Sequence, residues 1–205
     1  AGFTADGKQN QVKRRNYMEA VLKKEVIANK QLCRVIGIST FIVLIALGAF
    51  VRINLAFSPV PITLQTMFVL LAGALLGSHL GGITLISYII LGVLGLPVFS
   101  GAASGIAYLF SPTAGYLVGF ILAAVFLGNT IKYAKNNLIS VFFLFCLADF
   151  ILLICGVVWL KILFGYNINK LLFIGLVPFI PGDLIKAAVA SVVYFNLKAR
   201  VKEIL

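Results

Sequence analysis

Acidic residues are scarce in this chain: 6 Asp and Glu among 205 residues, against 17 Lys and Arg. Charged residues of both signs make up 11%, where a soluble domain carries roughly 25%. There is one histidine, His79, and there are three cysteines, Cys33, Cys146 and Cys155. An odd cysteine count in apolar surroundings argues against a disulfide framework. Cys146 and Cys155 on one helix stand about 13 Å apart along its axis, too far to bridge. One histidine with scattered cysteines makes no zinc site, and neither a metal nor a cofactor is expected. No G-x-x-x-x-G-K-[ST] loop is present, so the chain does not itself hydrolyse ATP by that route. Zinc-protease and GxSxG nucleophile motifs are also missing, as are the paired halves of an inverted-repeat carrier. No secretory signal is visible, and the polar start, 1–11, is left out of the fold.

Apolar residues fill the space that charge leaves. They make up 61% of the chain, above the roughly 45–50% of soluble domains, and the mean hydropathy is +1.09. That excess makes this an integral membrane protein. A net charge of +11 would suggest nucleic acid in a soluble chain. Here most Lys and Arg flank apolar spans, so no nucleic acid is expected.

Three regions are expected: a basic N-terminal arm (1–34), a membrane domain (35–197) and a short tail (198–205). The arm holds Lys13, Arg14, Arg15, Lys23, Lys24, Lys30 and Arg34. It reads as a solvated helix, with a surface-lying amphipathic helix as the alternative. A membrane span needs about 20 apolar residues. Six are read, near 35–51, 62–80, 83–96, 113–130, 138–163 and 171–197, the last broken at Pro178 and Pro181. The fold class is therefore all-α, a six-helix membrane bundle. Lys132, Lys135, Lys198, Arg200 and Lys202 join the basic arm on one side, and only Arg52, Lys161 and Lys170 lie on the other. By the positive-inside rule both termini are cytoplasmic. Gly73, Gly77 and Gly81, and Gly115 with Gly119, recur at four-residue spacing. Such patterns permit close helix contact within the bundle or with a partner.

One acid–base pair stands out. Asp183 and Lys186 follow Pro181-Gly182 in an apolar stretch. On a helix, residues at i and i+3 share a face, and a carboxylate is favoured near a helix N-terminus. A charge in hydrocarbon costs roughly 2.5–3.5 kcal/mol, so such a pair marks a cavity or a partner. Two other features lie on the same outer side. Pro59-Val-Pro-Ile-Thr-Leu-Gln-Thr66 brings Thr63, Gln65 and Thr66 into an apolar helix start, where capping and ligand contact are equally good readings. Pro97 to Pro112 is a long connection without one charged residue, carrying Ser100, Gly101, Ser104, Gly105, Tyr108 and Ser111. Long loops of this kind are functional or disordered, and this composition suggests a lid. Asp149, inside the fifth span, reads as a helix-to-helix bond or as a second pocket residue. Phe57, Trp159 and Tyr166 read as interfacial anchors, with Trp159 alternatively covering a ligand.

Taken together, Pro59-Val-Pro-Ile-Thr-Leu-Gln65, Gly95-Leu-Pro-Val-Phe99 with Gly101 and Ser104-Gly105, Ser111-Pro-Thr-Ala-Gly-Tyr116, Gly156 with Trp159-Leu160, and Pro178-Phe-Ile-Pro-Gly-Asp-Leu-Ile-Lys186 resemble the BioY family. These are the biotin-specific substrate-binding (S) components of energy-coupling-factor transporters. The resemblance runs from about residue 35 to 197. It implies an S-component-like bundle in a prokaryotic plasma membrane, with biotin captured from outside. It also implies docking to a transmembrane coupling protein and two ATPase subunits, and no enzymatic activity of the chain itself. The substrate contacts it implies are Gln65, Gly101, Ser104, Gly105, Tyr116, Asp183 and Lys186. Two readings stand beside it: a small intramembrane enzyme using Asp183 and Lys186, and a ligand-free assembly subunit.

Overall fold

The computed structural model describes residues 30–135 and 137–204. Helix α1, Lys30–Phe50, already includes the last residues expected in the basic arm, and the rest of that arm lies outside the described residues. A small hairpin follows, with β1 (Arg52–Ile53) antiparallel to β2 (Ile62–Thr63) and Arg52 opposite Thr63. The Leu64 N–H donates to the carbonyls of Gly48 and Val51 at 3.2 and 3.1 Å, which ties the hairpin to the end of α1.

Helix α2, Gln65–Val93, is one element by hydrogen bonding but turns back at Gly77, whose φ of 80° and ψ of 175° are not helical. Two contacts show the reversal. A Cβ on Gly81 would lie 3.0 Å from the Cα of Gly73, and Gln65 Nε2 donates to Tyr88 Oη at 2.6 Å. On a straight helix those last two residues would be about 35 Å apart. The turn that the sequence places at 78–82 therefore sits at Gly77, and the two arms are the expected second and third passages. The Gly77 conformation is one that essentially only glycine adopts, at a cost of about 1–3 kcal/mol for other residues. A Cβ there meets nothing within 4 Å, so the cost of Gly77→Ala is conformational. That variant is expected to melt at lower temperature in detergent, and an unchanged melting temperature would argue against strain at the bend.

The remaining helices are α3 (Ala114–Thr130), α4 (Leu138–Phe164), α5 (Ile168–Gly175) and α6 (Ile180–Ile204). Asn137 caps α4, its side chain accepting from Ser140 N at 2.7 Å, and Gly165 ends it in the left-handed conformation. The broken sixth span of the sequence reading resolves into short α5, a turn over 176–179, and long α6. Pro181 falls in the first turn of α6, where its missing N–H costs nothing. Among the described residues five helices are long and apolar enough to cross a membrane. With α2 folded back, the chain passes through the bundle six times, as the sequence predicts. Helix α6 runs on through residues expected to form a separate tail.

Small residues set the helix spacing. A Cβ on Gly73 would come 2.7 Å from Ala124 Cα, and one on Gly119 would come 2.8 Å from the Leu152 carbonyl oxygen. Gly73, Gly81, Gly115 and Gly119 all face inward, which is the within-bundle reading of their spacing. Leu70, Leu85, Phe145, Leu152 and Leu160 fill the core, while Val43, Leu47, Val118, Phe143, Phe150 and Ile185 form an exposed apolar girdle. One end of the bundle gathers the Gly77 bend, Lys132, Lys135 and Lys198 around a groove, with Cys33 and Val201 close by. Both described ends of the chain therefore lie on that face. The β-hairpin, the 97–112 connection and the α4–α5 loop lie on the opposite one.

Candidate functional site

The site begins at the first turn of α6. The Asp183 N–H donates to the Phe179 carbonyl at 2.9 Å, which carries the helix across Pro181. Asp183 is 5% exposed. Its Oδ1 accepts from Lys186 Nζ at 2.8 Å, in the i, i+3 geometry read from the sequence. Lys186 Nζ also donates to Thr66 Oγ1 at 3.3 Å, joining α6 to the start of α2. A buried charge is tolerated where it is paired and hydrogen-bonded, and this pair meets both conditions.

The pair lies in the wall of a cavity bounded by six parts of the chain. The hairpin gives Val60, Pro61 and Thr63, α2 gives Gln65 and Thr66, and the 97–112 connection gives Ser100 and Tyr108. Helices α3 and α4 add Tyr116, Phe120, Leu152 and Leu153, and Phe179 closes the α5–α6 side. The space between these atoms that admits the centre of a water-sized body is about 40 Å³. That is below the range of small-molecule sites, about 300–1,000 Å³. The side chains stand close together, as in a slit.

Polar groups in the wall are held in place. Gln65 donates to Tyr88, and Tyr88 Oη donates to the Val98 carbonyl at 2.9 Å, so the Gln65 amide is linked to the loop. Tyr116 Oη donates to the Gly175 carbonyl at 2.7 Å, at the end of α5. Gly156 lets the Tyr116 ring lie against α4, because a Cβ there would run into Tyr116 Cε1 and Cζ. Burial pushes the Tyr108 phenol above its ordinary value, so it stays a neutral donor. Tyr108 stacks on Phe99 with ring centroids 4.4 Å apart, and Phe99 meets Tyr88 edge-on at 5.7 Å. Ser100 Oγ and Asp183 Oδ2, both in residues of the wall, are buried without a hydrogen-bond partner among the described residues.

Of the residues singled out in the sequence, Gln65, Tyr116, Asp183 and Lys186 come together in this wall. Gly101, Ser104 and Gly105 do not line it. Gly101, at φ 80°, is where the Arg52 guanidinium presses against the loop. Ser104 is exposed. The Gly105 N–H donates to the Gly92 carbonyl at 2.8 Å and pins the loop to the end of α2. Their neighbours Ser100 and Tyr108 line the cavity instead; the sequence placed both in the lid but did not distinguish them from its glycines. Trp159 does not line it either: its Nε1 donates to the Ser111 carbonyl at 2.9 Å and holds the loop to α4. Asp149, on α4, is 6% exposed and joins Asp183 around an adjoining recess. No cluster of metal-ligating side chains occurs among the described residues.

A six-passage helical bundle with a narrow, half-polar slit near one face defines a multi-pass membrane protein built around a small-molecule site. Comparison with known proteins narrows the class. A sequence model of the BioY family matches residues 19–203. The chain is similar to the probable biotin transporter BioY of Pyrococcus horikoshii, 37% identical over 164 residues that cover 78% of this chain and 93% of that one. It is similar to the biotin transporter BioY of Rhizobium etli, 38% identical over 157 residues, covering 73% and 83%. The crystal structure of the S-component for biotin from an ECF-type ABC transporter superposes with a TM-score of 0.78 at 28% identity, covering 83% of this chain and 93% of that one. The chain belongs to the BioY family.

Proposed function

We propose that this protein is the biotin-binding membrane subunit of an energy-coupling-factor transporter. It captures biotin at the face of the slit. With a transmembrane coupling protein and two ATPase subunits it then releases biotin to the cytoplasm. One observation carries the reading: a buried, hydrogen-bonded Asp183–Lys186 pair in the wall of a narrow slit, in a chain of this family. The reading as an intramembrane enzyme is disfavoured, because the relatives are transporters. The excess of Lys at the Gly77 face supports placing that face in the cytoplasm and the slit outside, in a plasma membrane.

Biotin offers a ureido ring with two N–H donors and a carbonyl, a thioether ring, and a chain ending in a carboxylate. Asp183 accepts from a ureido N–H, and Lys186 donates to the ureido carbonyl. Charge-assisted hydrogen bonds in a dry site are the strong kind, each worth about 1.5–3 kcal/mol. Ser100 and Gln65 supply neutral polar contacts, and Tyr116, Phe120 and Phe179 pack on the rings. Gly101, Ser104 and Gly105 act on the ligand through the loop they shape.

Titration calorimetry on the purified chain in detergent tests this. Biotin is expected to bind tightly, with no ATP hydrolysis by the chain alone. Asp183→Asn removes the anion, and affinity is expected to fall more than tenfold, or about 1.4 kcal/mol. Unchanged affinity in that variant would remove the site, and absence of binding by the unaltered chain would remove the function.

A further inference from the structure

Asp149 is a buried acid that this function does not use. It projects from α4 into a recess that it lines together with Asp183 of α6. Asp149 Oδ1 and Asp183 Oδ2 are each buried without a hydrogen-bond partner among the described residues. The titratable groups that act on the two acids are Lys186 on α6, Tyr116 on α3 and Cys146 on α4. Lys186 is the one cation among them, and its contact is with Asp183.

Counting charge exposes a deficit. Two carboxylates and one ammonium leave a surplus negative charge inside the bundle, where like charges so close do not both ionise. Lys186 lies 2.8 Å from Asp183, and Asp149 has no such contact with a cation among the described residues. A proton on Asp149 removes the surplus. It also supplies the O–H that a neighbouring carboxylate oxygen lacks. A carboxylate accepts about four hydrogen bonds, so Asp183 can take one from Lys186 and one from Asp149 and still accept from a ligand.

We propose that Asp149 is a positioning residue that holds a proton as a neutral carboxylic acid, donates it in a hydrogen bond to Asp183, and so aims the Asp183–Lys186 pair into the slit. Ligand binding is then linked to this proton, a consequence that rests on the biotin reading above. The acid pair itself does not rest on it.

Infrared spectroscopy of the purified chain without ligand reads the proton directly. A carboxylic-acid C=O band that shifts in heavy water is expected in the unaltered chain and is expected to be missing in Asp149→Asn. Biotin affinity, followed by calorimetry from neutral to alkaline pH, is expected to weaken as the pH rises. Asp149→Leu is expected to lose at least tenfold in affinity (about 1.4 kcal/mol). Asp149→Asn keeps an N–H donor with no proton to lose, so it is expected to recover most of that loss and to flatten the pH profile. Asp149 is the one titratable group that differs between the two chains, so a profile unaltered by Asp149→Asn overturns the proposal. An acid band absent from the unaltered chain, or one that survives Asp149→Asn, overturns it as well. If the band behaves as stated and the unaltered chain binds no biotin, the biotin reading fails while the protonated Asp149 is supported.

Discussion

Lys186→Met is expected to abolish biotin binding and to lower the melting temperature of the detergent-solubilised chain. The ammonium is the partner of a carboxylate that is 5% exposed, and its 2.8 Å contact is the one ion pair among the described residues. Removing one member of a buried pair costs about 3–5 kcal/mol, mostly because the other charge stays behind in a poor solvent. Asp183 would then face Asp149 with no cation near, and protonation of both acids would recover part of that cost. Removing both charges, as in Asp183→Asn with Lys186→Met, is expected to restore most of the melting temperature and none of the binding. The two substitutions are in contact, so their effects should be far from additive. Thermal melting and calorimetry on the four chains check this. A single Lys186→Met variant that melts and binds normally would show the ammonium to be a spectator.

Gly156→Leu is expected to cost more than tenfold in biotin affinity through a residue that never touches the slit. Its Cβ would run into the Tyr116 ring, and Tyr116 lines the slit while holding the Gly175 carbonyl. Overpacking of this kind costs about 1–3 kcal/mol in stability. Here the displaced ring belongs to a residue that lines the slit, so stability and affinity should fall together. Tyr116→Ala in the same chain gives the leucine its room, and is expected to bring back stability more fully than affinity. Binding by Gly156→Leu at the original strength would mean that Tyr116 yields elsewhere.

Much of this was readable from the residues, for physical reasons that differ between parts. Apolar length and proline placement carried the six passages, because both act locally along the chain. Asp183 and Lys186 were readable because helical spacing fixes which face they share. What glycine composition could not tell was which atoms it admits. In the 97–112 loop it signals close backbone approach, and the groups that approach are the Arg52 guanidinium at Gly101 and the Gly92 carbonyl at Gly105. The wall itself comes from Ser100 and Tyr108, whose direction depends on the stacking of Phe99 on Tyr108. Asp149 was seen but its partner was not, because that partner is on another helix and no local spacing connects them. The α2 reversal was placed a residue late, since Ser78-His-Leu-Gly-Gly82 looks more like a turn than Gly77 alone does.

That reversal has a bearing on biogenesis. The arms of α2, residues 65–76 and 78–93, are about 18 and 24 Å long, and a lone helix needs about 30 Å of apolar length to settle in a bilayer. Neither arm is a stable insertion intermediate by itself. The two arms are therefore expected to enter the bilayer together, as a bent pair, rather than one after the other.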